Sequence, residues 1–173
     1  MLRNSITSTI VAMLLLFALA VCASDLPLEI KSSVPYTVVV DHDRALDRMI
    51  AENDYDNVNA NIGRASFPPE GKGKVETVMQ LLKSNQPTSS MDVVNWMNEQ
   101  GLRPATFREL LEFSEKYRDQ YGGFQIAALG SSLEISGARF VPVSGKVAGA
   151  WMLVVRPWGN KWGTECGFVA VVR

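Results

Sequence analysis

Histidine and cysteine, the side chains that most often supply nucleophiles and metal ligands, are scarce in this sequence. It contains one histidine, His42, and two cysteines, Cys22 and Cys166. Removal of an N-terminal leader that includes Cys22 would leave Cys166 alone, so no intramolecular disulfide could form. Because Cys166 begins an apolar run and a free cysteine packs as a small hydrophobic residue, we predict that it is buried.

Excess positive charge is also missing. The sequence has 17 basic and 18 acidic residues, and loss of Arg3 with a leader would leave a net charge of about −2. A protein that binds nucleic acid through its phosphates needs a basic stripe, so we predict no nucleic-acid partner.

Cofactor and catalytic motifs are absent from the sequence. The loop "EGKGK" lacks the spacing of a phosphate-binding loop, and no Gly-x-Ser-x-Gly elbow occurs. We therefore predict no cofactor and no metal site, and catalysis is not indicated.

The N-terminus carries a short apolar run, Ile10 to Val21, preceded by Arg3. The run is too short to span a bilayer, which needs roughly 20 apolar residues, and it is typical of a secretory signal. We predict a signal peptide at residues 1–23, with cleavage after Ala23 or alternatively after Ala20, and a secreted or periplasmic location. Two alternatives remain, a retained anchor helix and a lipid attached at Cys22. Only these alternatives would bring the protein to a membrane.

The rest of the chain has the length and composition of one ordinary domain. We predict an extended lead-in at residues 24–35, where Pro27 and Pro35 oppose a helix, and a single α+β domain at residues 36–173. Helices are expected in the first half, and a mainly antiparallel sheet is completed by the second half.

Capping residues mark three predicted helices. Asp43 is expected to cap a helix containing Leu46, Met49 and Ile50. Ser89 or Ser90 is expected to cap the next helix, with Met91, Val94 and Met97 on one face and Gly101 after its end. In "GLRPATFRELLEF", Thr106 and Glu109 match a capping box that begins the third helix, with Leu110, Leu111, Phe113 and Tyr117 as its apolar stripe.

Residues 74–83, "KVETVMQLLK", fit both a helical face and a strand face. Periodicity alone leaves the choice open. From Gly122 onward, short apolar runs separated by glycine indicate strands, most simply an antiparallel meander.

The tryptophan-rich segment "WMLVVRPWGNKW" contains the candidate binding residues. Trp158 and Trp162 flank a turn that holds Asn160, and Arg156 precedes it. Tryptophan and arginine dominate binding hot spots, and indole rings stack on sugars. We therefore predict a non-catalytic binding domain that takes a protein or glycan ligand through Arg156, Trp158, Asn160 and Trp162. The turn favours exposure of Trp158 and Trp162, and the alternative is that a tryptophan folds over its own hairpin.

Two other functions stay open. Asp41, His42 and Asp43 form the densest group of titratable residues, and an exported hydrolase could use these carboxylates or a metal bound beside them. Neighbouring strand residues point to opposite faces, however, so at most two of the three would converge. A structural component of the cell envelope is the second alternative.

The stretches "GLRPATFRELLEF", "IAALGSS" and "CGFVAVVR" together resemble an uncharacterised group of bacterial proteins with an RPAT-x-x-EL corner, an ALGS step and a C-terminal Phe-x-Ala-Val run. This resemblance covers most of the mature chain, implies no activity, and favours a strand at 75–82. The chain is also distantly similar to C-type-lectin-like domains of the sulfatase-modifying-factor kind. Those enzymes use paired cysteines, whereas this chain retains only Cys166, so the similarity implies a binding scaffold.

Overall fold

The computed structural model describes residues 29–63, 65–68, 71–122 and 124–173. The predicted signal peptide, both cleavage positions and Cys22 lie outside these residues. None of the described residues forms a helix long and apolar enough to cross a membrane.

Three α-helices, one short 3-10 helix and twelve strands make up the described part of the chain. The helices are α1 (Leu46–Glu52), α2 (Ser90–Glu99), α3 (Phe107–Tyr117) and the 3-10 helix Arg118–Gln120. The strands are β1 (Ile30–Ser32), β2 (Tyr36–Asp41), β3 (Asn57–Val58), β4 (Lys74–Ser84), β5 (Thr88–Ser89), β6 (Leu102–Pro104), β7 (Gln125–Ala127), β8 (Leu133–Ile135), β9 (Ala138–Val147), β10 (Ala150–Pro157), β11 (Lys161–Trp162) and β12 (Cys166–Val172). The predicted α+β class, with a mostly antiparallel sheet, is confirmed.

The main sheet runs in the order β1-β4-β12-β7-β9-β10-β3, with β2 also on β4, β6 on β12 and β8 on β9. The predicted antiparallel meander is wrong for β12. Among the described residues, this strand does not pair with β10; it pairs antiparallel with β4 and parallel with β7. Sequence spacing cannot reveal this placement, because β4 and β12 are far apart in the chain.

The ambiguous segment 74–83 is the strand β4. It pairs antiparallel with β1 and β2 along one side and with β12 along the other. Hydrogen bonds to partners distant in sequence thus decide between two conformations that periodicity allows equally. β1 falls inside the predicted lead-in and belongs to the sheet.

β12 separates two hydrophobic cores. Val169 and Val171 pack on one face, with α1 and α3, and Phe168 and Ala170 pack on the other, with α2. Successive side chains of a strand point to opposite faces, so one fully apolar strand serves both cores.

Two of the three predicted helix N-caps, those of α2 and α3, are confirmed. Ser89 caps α2 by accepting from the Asp92 N–H, and Gly101 follows the helix with a positive φ of 70°. The predicted α2 face is right for Met97, which is buried, and for Val94, which packs half-buried on the same core. It is wrong for Met91, which is exposed, and it misses the buried Val93. The Asp43 cap is also wrong: Ala45 occupies the N-cap of α1 without a side-chain hydrogen bond, and Asp43 N–H donates to Asp41 Oδ1 at 3.1 Å.

The capping box of α3 is confirmed, and a residue from outside the helix also binds its N-terminus. Thr106 N–H donates to Glu109 Oε2 at 2.7 Å, and Phe107 N–H donates to Ser131 Oγ at 2.9 Å. A Cβ added to Gly130 would lie 2.6 Å from the Ala105 carbonyl oxygen, so only glycine fits this approach. The segments "RPAT" and "ALGSS" therefore pack against each other at the start of α3.

α3 also covers the free edge of β2. Glu112 Oε1 accepts from Asp41 N–H at 3.3 Å, and the Thr37 carbonyl accepts from Lys116 Nζ and Tyr117 OH at 2.9 and 2.8 Å. Side chains thereby satisfy backbone groups that an exposed edge would offer to another strand.

Candidate functional site

The four residues predicted to bind a ligand do not form one open surface. Trp162 is only 2% exposed, and its Nε1 donates to Ser90 Oγ at 2.8 Å. Its ring also meets Phe168 edge-on at 5.6 Å between centroids. The expectation that Trp162 is exposed is wrong, because β11 pairs with β5 and carries the indole into the core beneath α2.

Trp158 is half-buried and Asn160 is exposed in the turn between β10 and β11. The Arg139 guanidinium carbon lies 3.9 Å from the centroid of the Trp158 ring, so one indole face is occupied. Arg156 is half-buried, and its Nη1 donates to Gln125 Oε1 at 3.1 Å and contacts Cys166 Sγ at 3.3 Å. Trp158 and Asn160 are thus the members of the set that reach the surface together.

Cys166 is fully buried, as its apolar context predicts. Burial raises the pKa of the thiol, and the Glu165 carboxylate adds to this effect, whereas Arg156 opposes it. A neutral buried thiol is a poor nucleophile, so Cys166 is not a candidate catalytic residue.

The Asp41, His42, Asp43 group lies where β2 ends. Asp41 pairs with Lys74 at 3.6 Å, and His42 N–H donates to the Gly73 carbonyl at 2.8 Å. The His42 ring packs against Gly71, and its buried Nδ1 has no hydrogen-bond partner among the described residues. Within the described ranges, no three His, Cys, Asp or Glu side chains are grouped so that they could hold a metal ion.

A cleft of about 220 Å³ opens directly beside this group. We call it the Arg108 cleft. It is lined by the consecutive residues 42–47 and by two residues from elsewhere, Phe67 and Arg108. A smaller cavity of about 20 Å³ shares Leu46, Phe67 and Arg108 with it and reaches the Thr106 corner of α3.

Arg108 is the unusual residue of the cleft, because the residue is charged and only 8% exposed. Its Nη1 donates to the carbonyls of Arg44 at 2.6 Å and Asp41 at 3.3 Å, and lies 2.9 Å from Met49 Sδ. In the part of the chain that the structure describes, no carboxylate pairs with Arg108, and its Nε and Nη2 have no hydrogen-bond partner. Nη1 is satisfied by these carbonyls, and Nε and Nη2 are not among the fully buried atoms that lack a partner, so a ligand in the cleft could accept hydrogen bonds from them.

Arg44, the other arginine of the cleft, is already neutralised. Its guanidinium pairs with Glu112 at 3.2 Å, with Glu115 at 2.7 Å, and with Glu52. Burial raises the pKa of Glu112, although Arg44 and the Asp41 N–H oppose the shift. This network leaves Arg108 as the guanidinium available to a ligand.

The other residues that line the Arg108 cleft include two apolar and two acidic ones. Phe67 and Leu46 are buried, and the Phe67 ring lies 4.5 Å from the Phe107 ring between centroids. Asp43 and Asp47 are exposed at the cleft. The arrangement can hold a small ligand that has both an anionic group and a hydrocarbon part.

Sequence reasoning did not identify Arg108 and Phe67. Arg108 stands at the second position of a helix whose apolar stripe was read from other residues, and its burial follows from the chain segment 41–45 folding over it. The capping box was the available signal, since it fixes where α3 begins.

Comparison of the chain with protein-family models, with curated proteins and with solved structures finds no match. The resemblances described from the sequence motifs stay predictions.

Proposed function

We propose that this protein is a non-catalytic binding domain that holds a small carboxylate-bearing ligand in the Arg108 cleft. The observation that carries the proposal is the buried Arg108 guanidinium, which lines the cleft without an acidic partner among the described residues.

The chemistry of arginine supports a carboxylate. A guanidinium offers five N–H donors in a planar fork that matches the two oxygens of a carboxylate, and charge-assisted hydrogen bonds are about twice as strong as neutral ones. Nη1 is held by backbone carbonyls of residues 41 and 44, which fix the orientation of the fork before a ligand arrives. Such preorganisation lowers the entropic cost of binding.

The volume supports a small ligand. A cleft of about 220 Å³ lies below the range of about 300–1,000 Å³ that is typical of sites for drug-sized ligands. Phe67 and Leu46 would contact the hydrocarbon part, and burial of that part would add affinity.

Export of the protein and binding through Trp158 and Asn160 remain predictions from the sequence. The cleft does not depend on either of them. Binding through the turn that holds Trp158 and Asn160 would be tested separately, with Trp158→Ala.

Isothermal titration calorimetry with 4-methylpentanoate and its neutral amide, 4-methylpentanamide, tests the proposal. We expect the acid to bind and the amide to bind at least about tenfold more weakly, because only the acid forms charge-assisted bonds with Arg108. Arg108→Gln should weaken binding of the acid by a similar factor, whereas Arg48→Gln, on an exposed arginine of α1, should not.

Ala45→Trp provides a second route if Arg108→Gln fails to fold. Ala45 is exposed and lines the cleft, so a large side chain there should block entry with little effect on the core. Equal binding of acid and amide, or unchanged binding in a folded Ala45→Trp variant, would refute the carboxylate site.

A further inference from the structure

The two acidic residues that line the Arg108 cleft point to a more specific ligand. We infer that the ligand is a zwitterion, an α-amino acid with an apolar side chain, whose carboxylate binds Arg108 and whose ammonium group lies between Asp43 and Asp47. This inference rests on the proposed function.

The first observation is that opposite charges line one cleft. Asp43, Asp47 and Arg108 all contribute to its surface. Among the described residues, neither Asp43 nor Asp47 forms an ion pair, whereas the neighbouring Asp41 is paired with Lys74. The three charged side chains therefore do not pair with one another and stay available to a ligand.

The second observation is the difference in burial between the two signs of charge. Arg108 is nine-tenths buried, and its Nε and Nη2 have no hydrogen-bond partner among the described residues but are not fully buried atoms, while Asp43 and Asp47 are exposed. A ligand would place its anionic group deepest and its cationic group towards the opening. An α-amino acid carries these two groups one carbon apart, and its side chain would lie along Phe67 and Leu46.

Each acidic residue also has a structural explanation. Asp47 stands in the first turn of α1, where a carboxylate interacts favourably with the helix dipole, and Asp43 lies in the turn before it. A purely structural role predicts changes in stability and no change in ligand preference. The test therefore measures preference.

Three amino acids, L-alanine, L-leucine and L-phenylalanine, would be titrated by calorimetry alongside the acids that lack the amino group: propionate, 4-methylpentanoate and 3-phenylpropionate. We expect at least one amino acid to bind about two- to fivefold tighter than its matched acid, as for an exposed ion pair. The corresponding amines, which lack the carboxylate, should bind more weakly than the amino acids.

Asp43→Asn/Asp47→Asn is the diagnostic double variant. It should reduce the preference for the amino acid over the matched acid to about one, while binding of the acid itself persists or strengthens. Asp54→Asn is the control, since Asp54 is exposed on a different turn.

The outcomes separate the two proposals. If every deaminated acid binds as tightly as its amino acid, or if the double variant keeps the preference, the zwitterion is refuted and the carboxylate site stands. If neither acids nor amino acids bind, or if the amines bind as tightly as the amino acids, the carboxylate site fails and the zwitterion fails with it.

Discussion

At the scale of single residues, burial and charge depend on neighbours that are remote in the sequence. Cys166 was predicted correctly because its own apolar run decides its environment. Trp162 was not, because its indole is held by Ser90, 72 positions away. Arg108 is buried by the segment 41–45, a contact for which its own helix gives no signal.

Glu112 allows a prediction about pH. Burial raises its pKa, so the folded state holds the proton more tightly than the unfolded state does. The stabilisation from this residue is complete below the ordinary titration range of glutamate, about pH 4 to 5, and is lost as the pH rises through the higher pKa of the folded state.

Urea unfolding of the wild type and of Glu112→Gln from pH 4 to pH 7 measures this effect. The difference in unfolding free energy, wild type minus variant, should fall as the pH increases. Glu115→Gln is the matched control, since it removes a second carboxylate of α3 from the same arginine. A difference that grows with pH would show that pairing with Arg44 outweighs burial.

At the scale of secondary-structure elements, local signals identified the caps of two helices, the strand β2 and the longer strands of the second half. The caps of α2 and α3 could be read from Ser89 and from Thr106 with Glu109, because a cap bonds to residues only two or three positions away. Strand β4, the buried face of α2 and the position of β12 could not be read in the same way, since each depends on long-range pairing or packing.

The start of α3 allows a comparison of two cap residues. Glu109 accepts from Thr106 N–H at 2.7 Å and binds both terminal nitrogens of Arg103 at 2.6 and 2.9 Å. Among the described residues, Thr106 Oγ1 accepts a single hydrogen bond, from Glu109 N–H at 3.4 Å. We expect Glu109→Ala to cost about 2–3 kcal/mol and Thr106→Ala about 1 kcal/mol.

Thermal or urea unfolding of both variants at neutral pH measures the two costs. Arg173→Ala, which removes an exposed hydrogen bond to Asn98, is a control outside the corner. Equal losses for Glu109→Ala and Thr106→Ala would contradict the assignment of Glu109 as the main cap.

At the scale of the whole molecule, the α+β class follows from composition and the alternation of helical and extended runs. The division into two cores does not. It arises because β12 is apolar at every buried position and separates α1 and α3 from α2. The sequence run "CGFVAVV" shows a buried strand, and only its neighbours in the sheet show that it serves both faces.

Because the two cores share β12, we expect them to unfold together. Phe168→Ala, in the core beneath α2, should cost about 3–5 kcal/mol, and Leu111→Ala, in the core beneath α3, about 2–5 kcal/mol. Urea unfolding followed by far-ultraviolet circular dichroism and by tryptophan fluorescence should give one coincident transition in each variant. Separate transitions in either variant would show two independent units.

The late position of β12 in the chain has a consequence for biogenesis. Lys83 pairs with Gly167 and Met79 with Val171, so the centre of the sheet joins segments made early and late in translation. Until β12 has left the ribosome, the apolar side chains of both cores that pack on it stay uncovered, and the nascent polypeptide is then a suitable client for a holding chaperone.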